Sequence, residues 1–150
     1  MLQSTQITMK NIVVLVSCVK SKSQTTSAAK ELYISTLFRG MRRYAEQNAS
    51  TWYILSAKYG VLAPSDRVAP YEQTLNKMPQ SERDRWALKV NDQLLHLLPL
   101  EAKVVMLAGQ RYRADLVPHL EERGFAIKIP MQGLRLGAQL KWLNENTRRE

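Results

Sequence analysis

Four apolar runs in this chain end the same way, in a small residue followed by a cation. They are Asn11-Ile-Val-Val-Leu-Val-Ser17-Cys18-Val-Lys20, Trp52-Tyr-Ile-Leu-Ser56-Ala-Lys58, Lys103-Val-Val-Met-Leu-Ala-Gly109-Gln-Arg111 and Phe125-Ala-Ile-Lys-Ile-Pro130-Met-Gln-Gly133-Leu-Arg135. Runs of Val, Ile and Leu that do not alternate with polar residues indicate strands covered on both faces, the mark of a parallel sheet. Amphipathic segments lie between them. Leu32, Leu37, Met41 and Tyr44 recur at helical spacing over 28–47. A second helix is expected from Ser81, taken as its N-cap, to Pro99; a third over 112–123, ended by Gly124; a fourth over 134–147.

The order predicts an α/β fold, a three-layer α/β/α sandwich with about four parallel strands and right-handed crossovers. Residues 1–10 read as a flexible leader and 11–150 as a single domain. The strand order is not legible. No apolar run is long enough to cross a bilayer, and residues 1–10 lack the apolar core of a signal peptide, so no membrane partner is expected. The chain's one cysteine fits a reducing cytoplasm.

In a parallel sheet all four strand ends share one edge, where α/β proteins bind ligands. An edge of Ser, Gly, Lys and Arg suits an anion. With 22 Lys and Arg against 13 Asp and Glu, the net charge is +9, which favours nucleic acid, nucleotide or nucleobase as partner. The first turn carries Ser17, Cys18, Lys20 and Lys22, without either common glycine-rich phosphate motif. It reads as an anion loop or as a solvated Ser/Lys loop. Cys18 is either a nucleophile, its thiol activated by the lysines, or a small buried residue.

The second turn is long and rich in proline: Ser56, Lys58, Tyr59 and Gly60, then Asp66, Tyr71 and Glu72. Tyr59 and Tyr71 either stack a base or plug the loop onto the core. Gly109 and Arg111 follow the third strand. Gln132 and Gly133 follow the fourth, Gln132 suited to a base edge and Gly133 to close backbone approach, while Gly137 reads as packing. One Cys and two distant His, His96 and His119, make no metal-ligand set, and no cofactor is expected. Basic residues gather at Arg39, Arg42 and Arg43 and again at Lys141, Arg148 and Arg149. Each cluster reads as a solvated face, or, taken as a set, they suit a phosphate backbone.

The run Ile54-Leu55-Ser56-Ala57-Lys58-Tyr59-Gly60-Val61-Leu62-Ala63-Pro64, followed by Pro70-Tyr71, resembles the signature of the YaaA-like peroxide-stress family. Ser17-Cys18-x-Lys20-x-Lys22 with Tyr33-x-Ser35 resembles a small bacterial and phage family sharing that core, and more loosely the core domain of archaeosine synthase. The resemblance covers roughly residues 11–75. It implies a core akin to the uracil-DNA-glycosylase-like superfamily and a link to nucleobases or DNA. It carries over Ser17, Cys18, Lys20, Lys22, Tyr33, Ser35, Ser56, Lys58, Tyr59, Gly60, Pro70 and Tyr71. The chain is shorter than YaaA-like proteins and lacks their helical insertion.

Three functions are therefore expected of the strand-end edge. The first is a glycosidase or base transferase for nucleobases or nucleotides. In it Cys18, Lys20, Asp66 and Glu72 do the chemistry, a carboxylate steadying oxocarbenium charge, and Lys20, Lys22 and Lys58 hold phosphate or the leaving base. The second is a DNA- or RNA-binding module without turnover. The third is a sensor of a small anionic nucleotide in stress or phage defence.

Overall fold

The computed structural model describes residues 11–17 and 22–148. Its centre is a five-stranded sheet in the order β4-β3-β1-β6-β7. β1 (Ile12–Ser17), β3 (Thr51–Ser56), β6 (Lys103–Met106) and β7 (Ala126–Lys128) run parallel. β4 (Gly60–Leu62) lies antiparallel along the outer edge of β3. The expected α/β sandwich is present, with four parallel strands and one antiparallel edge strand that the sequence did not announce.

β1 is central, and its residues divide the core. Val13 and Leu15 face one layer, with Trp86, Val90 and Leu94 of α3 (Gln80–Leu97), Tyr112 of α4 (Gln110–Arg113) and Leu120 of α5 (Val117–Glu122). Val14 and Val16 face the other, with Leu32 of α1 (Ala29–Leu32), Phe38, Met41 and Ala45 of α2 (Thr36–Asn48) and Leu143 of α6 (Leu136–Glu145). From β1 the chain moves outward through α2 to β3. It then returns through α3 to β6 on the other side of β1. Crossovers of one hand place helices on opposite faces when the direction reverses, as here. The reversal makes the β1/β6 boundary the switch point of the sheet.

Several boundaries differ from expectation for local reasons. The helix expected over 28–47 is broken. Ser35 adopts extended backbone and its Oγ accepts the Phe38 N–H at 3.1 Å, so α2 starts at Thr36. Ahead of it, Tyr33 makes a β-bridge with Lys22. Ser81 is not the cap of α3, which starts at Gln80 behind Pro79. The helix expected over 112–123 is two short helices, α5 carrying Pro118 in its first turn. β6 stops at Met106, leaving Leu107 to Gly109 free of the sheet ladder beyond the bond from Leu107 N–H to the Leu15 carbonyl at 2.9 Å. Of the two leucines that close α3, both read as core from their spacing, Leu98 is buried and Leu97 is exposed. Gly137 is not a packing glycine: a Cβ there would meet nothing within 4 Å.

The long loop after β3 is structured. It contains β4 and β5 (Arg67–Val68), which pairs antiparallel with β2 (Ser27–Ala28), and a 3-10 turn at Leu75–Lys77. Ala29 N–H bonds to the Asp66 carbonyl at 2.7 Å and Lys30 N–H to the Pro64 carbonyl at 3.0 Å. The loops after β1 and β3 are thus tied together beside the sheet edge. Among the described residues, no helix is long and apolar enough to cross a membrane.

Candidate functional site

At the switch point the ends of β1 and β6 part around a cleft of about 830 Å³. That is the size of a small-molecule site. Ser17 stands on one side, at the last position of β1. Its Oγ accepts the Gly109 N–H at 3.1 Å, joining the two strand ends across the boundary. Gln110, Arg111 and Arg113 continue that wall. Arg113 donates to the Ala108 carbonyl at 3.1 Å, and burial lowers its guanidinium pKa from the ordinary value.

The opposite wall is the start of α2, with Ser35, Thr36 and Leu37. The first N–H groups of a helix have no intrahelical partner and carry the positive end of its dipole. α2 has no acidic residue in its first turn to neutralise that end. Met131, Gly133 and Leu134 close the third side, with Gln139 of α6. Gly133 has φ +80°, a left-handed conformation that favours glycine. Gln139 donates through Nε2 to the Leu134 carbonyl at 2.8 Å. Cationic and helix-end groups thus share the cleft with apolar walls and side-chain amides. Among the described residues no Asp, Glu or His lines it.

Of the residues singled out from the sequence, Ser17, Ser35, Gly109, Arg111 and Gly133 meet in this cleft. Gln132 does not line it; its N–H closes a turn on the Ile129 carbonyl at 3.1 Å. Cys18 and Lys20 lie outside the described residues.

A second group forms a buried fastening beside the end of β3. Ser56 Oγ donates to Tyr71 Oη at 2.8 Å, and Tyr71 Oη bonds Tyr33 Oη at 2.5 Å. Ser56 Oγ also accepts the Tyr59 N–H at 3.0 Å, while the Ser56 carbonyl accepts the Trp86 indole N–H at 2.9 Å. Lys22 Nζ lies 4.6 Å from the Tyr71 ring centroid, and Tyr59 packs edge-on against that ring. Tyr71 is buried, so it plugs the loop onto the core and presents no open face to a base.

Lys58 is exposed, its Nζ 5.3 Å from the Tyr59 ring centroid, and it does not line the cleft. Gly60 has φ +78°, and a Cβ there would collide with the Gln93 side-chain amide, whose Oε1 accepts the Val61 N–H at 3.0 Å. Its glycine serves the turn and the approach of α3. Asp66 and Glu72 are exposed and do not line the cleft. Asp66 spends its Oδ2 on the Ala63 N–H at 2.8 Å, closing the turn between β4 and β5.

Sequence reasoning passed over Asn76, Thr36 and Gln139 as lining residues. Asn76 arrives from a one-turn 3-10 element without periodicity. Thr36 had a usable signal: it follows a Ser able to cap a helix. His96 sits exposed beside Asp92. Among the described residues no group of three or more His, Cys, Asp or Glu is placed to hold a metal ion.

Fold and site together define an α/β protein with a ligand-sized cleft at the switch point of a mostly parallel sheet. The chain belongs to a family of unknown function, DUF6884, whose pattern matches residues 13–145. No curated protein matches the chain.

Proposed function

We propose that this protein binds a nucleotide or nucleobase in the β1/β6 cleft, in the cytoplasm, as part of nucleic-acid metabolism or of a stress or phage-defence response. The observation that carries the reading is the composition of the cleft. Arg111, the α2 N-terminus and the Gly109 turn suit a phosphate. Leu37, Met131 and Leu134 offer apolar surface to a base, and Gln110 and Gln139 offer amides to its polar edge. The net charge of +9 and the resemblance to YaaA-like proteins point the same way.

Binding is better supported than turnover. Glycosidase chemistry draws on a carboxylate to steady oxocarbenium charge, and no acidic side chain lines the cleft among the described residues. Asp66 holds its own turn instead.

A thermal-shift screen against free bases, nucleosides and nucleotides, with mass spectrometry of the mixtures, tests this. A saturable shift from one base or nucleotide, with its mass unchanged, is the expected result. Released base restores the enzymatic reading, and silence across the whole set removes both.

A further inference from the structure

Two basic clusters far apart in sequence meet on the face of the molecule formed by α2 and α6. Gly40 of α2 lies so close to Leu143 of α6 that a Cβ on it would sit 3.1 Å from Leu143 Cδ1. Tyr44 and Trp142 pack beside that contact, ring centroids 5.1 Å apart. At the far end Gln47 clamps the chain after α6: its Nε2 donates to the Arg148 carbonyl at 2.9 Å, and its Oε1 accepts the Arg148 N–H at 2.7 Å. The helices therefore enclose a groove with a fixed floor. One stretch, of about 770 Å³, is lined by Arg39, Arg42, Arg43, Glu46, Asn144 and Arg148. The adjoining stretch, of about 580 Å³, adds Thr36 and Lys141.

The cations of this groove are not equivalent. Arg42 is committed, to Glu46 at 3.0 Å and to Glu31 at 3.1 Å; burial pulls its pKa down, but these two bonds outweigh that and leave it raised. Among the described residues no carboxylate lies within 4.0 Å of Arg39, Arg43, Lys141 or Arg148. Arg39 and Arg43, one helical turn apart, form one wall, and Lys141 and Arg148 the other. Cations on both sides of one trough suit a single row of phosphates. Of the other lining residues, Thr36, Asn144 and Gln47 are polar, Glu46 is bonded to Arg42, and Leu140 and Leu143 supply the apolar floor. The large exposed apolar residues Ile34, Leu88, Leu97, Leu100 and Leu136 lie outside the lining, so nothing there would insert into a lipid surface. Thr36 and Leu140 line both this groove and the β1/β6 cleft, so the two are continuous.

We propose that the α2/α6 groove is the track of a single-stranded nucleic acid, its phosphates held by Arg39, Arg43, Lys141 and Arg148. The strand runs along the helices toward the cleft. This inference goes beyond the cleft reading and does not depend on what occupies the cleft.

The test is fluorescence anisotropy with a labelled short oligothymidylate and its RNA counterpart, titrated at several salt concentrations. Two double variants are compared with the unmodified protein: Arg43→Ala with Lys141→Ala in the groove, and Arg85→Ala with Lys89→Ala on α3. All four positions are exposed on helices, where alanine is well tolerated. Each pair removes the same charge. Four phosphate contacts give a slope of log K against log salt of about −3, and the groove variant reduces it to about −1.4. The groove variant also weakens binding by more than about tenfold at low salt, while the α3 variant stays near the unmodified protein. Equal losses in both variants, or none in the groove variant, overturn the proposal. So does groove-dependent binding to phosphatidylserine vesicles without binding to either oligonucleotide. Arg43 and Lys141 do not line the cleft, so mononucleotide binding persists in the groove variant and reports separately on the cleft.

Discussion

Ser17 Oγ accepts the backbone N–H of Gly109, 92 residues later in the chain, at 3.1 Å. This bond joins the last position of β1 to the turn after β6, at the boundary where the sheet reverses its winding. Ser17→Ala leaves that N–H to solvent or to no partner. It is expected to cost about 0.5–1.5 kcal/mol in urea unfolding and to weaken a cleft ligand. Ser65→Ala, on the exposed turn between β4 and β5, is the comparison and leaves both unchanged.

Tyr71→Phe removes the oxygen that Ser56 and Tyr33 share. Two buried hydroxyls then lose a partner, and the expected destabilisation is about 1–3 kcal/mol. Lys58→Ala, on the neighbouring exposed turn, changes stability by less than about 0.5 kcal/mol and does not affect cleft binding. A loss of ligand with Lys58→Ala at unchanged stability contradicts the placement of the site.

Gly60→Ala meets two obstacles, a left-handed backbone at φ +78° and the Gln93 amide. The backbone alone costs about 1–2 kcal/mol. Adding Gln93→Ala removes the collision but not the backbone strain. A double-mutant cycle in urea is expected to show partial rescue, with a coupling of about 0.5–3 kcal/mol.

Gly40 sets the spacing of α2 and α6. Gly40→Ala gains helix propensity and presses only on the end of a flexible leucine, so its stability stays within about 1 kcal/mol of the parent. Gly40→Ile forces the helices apart and costs about 1–3 kcal/mol. Chemical unfolding of the pair measures the difference.

The parallel strands were legible because Val13 to Val16 and Ile54 with Leu55 form unbroken apolar runs, and such runs have one common explanation. β4 was not: Gly60-Val-Leu is three residues inside a proline-bearing loop, held by the Ser56–Tyr59 turn and by Gln93 from a distant helix. In the site, Ser17, Gly109, Arg111 and Gly133 were found by position, since strand ends share an edge. Ser56, Tyr71 and Lys22 had the same appearance and a different use. A hydroxyl that binds a ligand and one that ties two loops together are the same residue type, and only the partner 15 or 38 positions away separates them. The groove between α2 and α6 was visible as two basic clusters; their meeting depends on the Gly40–Leu143 contact, which no local pattern encodes.

The most direct test of the central claim is amide chemical-shift mapping by NMR during titration with nucleobases and nucleoside monophosphates. The account predicts saturable shifts concentrated at Ser17, Thr36, Gly109, Arg111 and Gly133, with the Tyr59 and Asp66 amides unmoved. Shifts centred on the loop from Lys58 to Glu72, or no saturable response to any nucleobase or nucleotide, would contradict it.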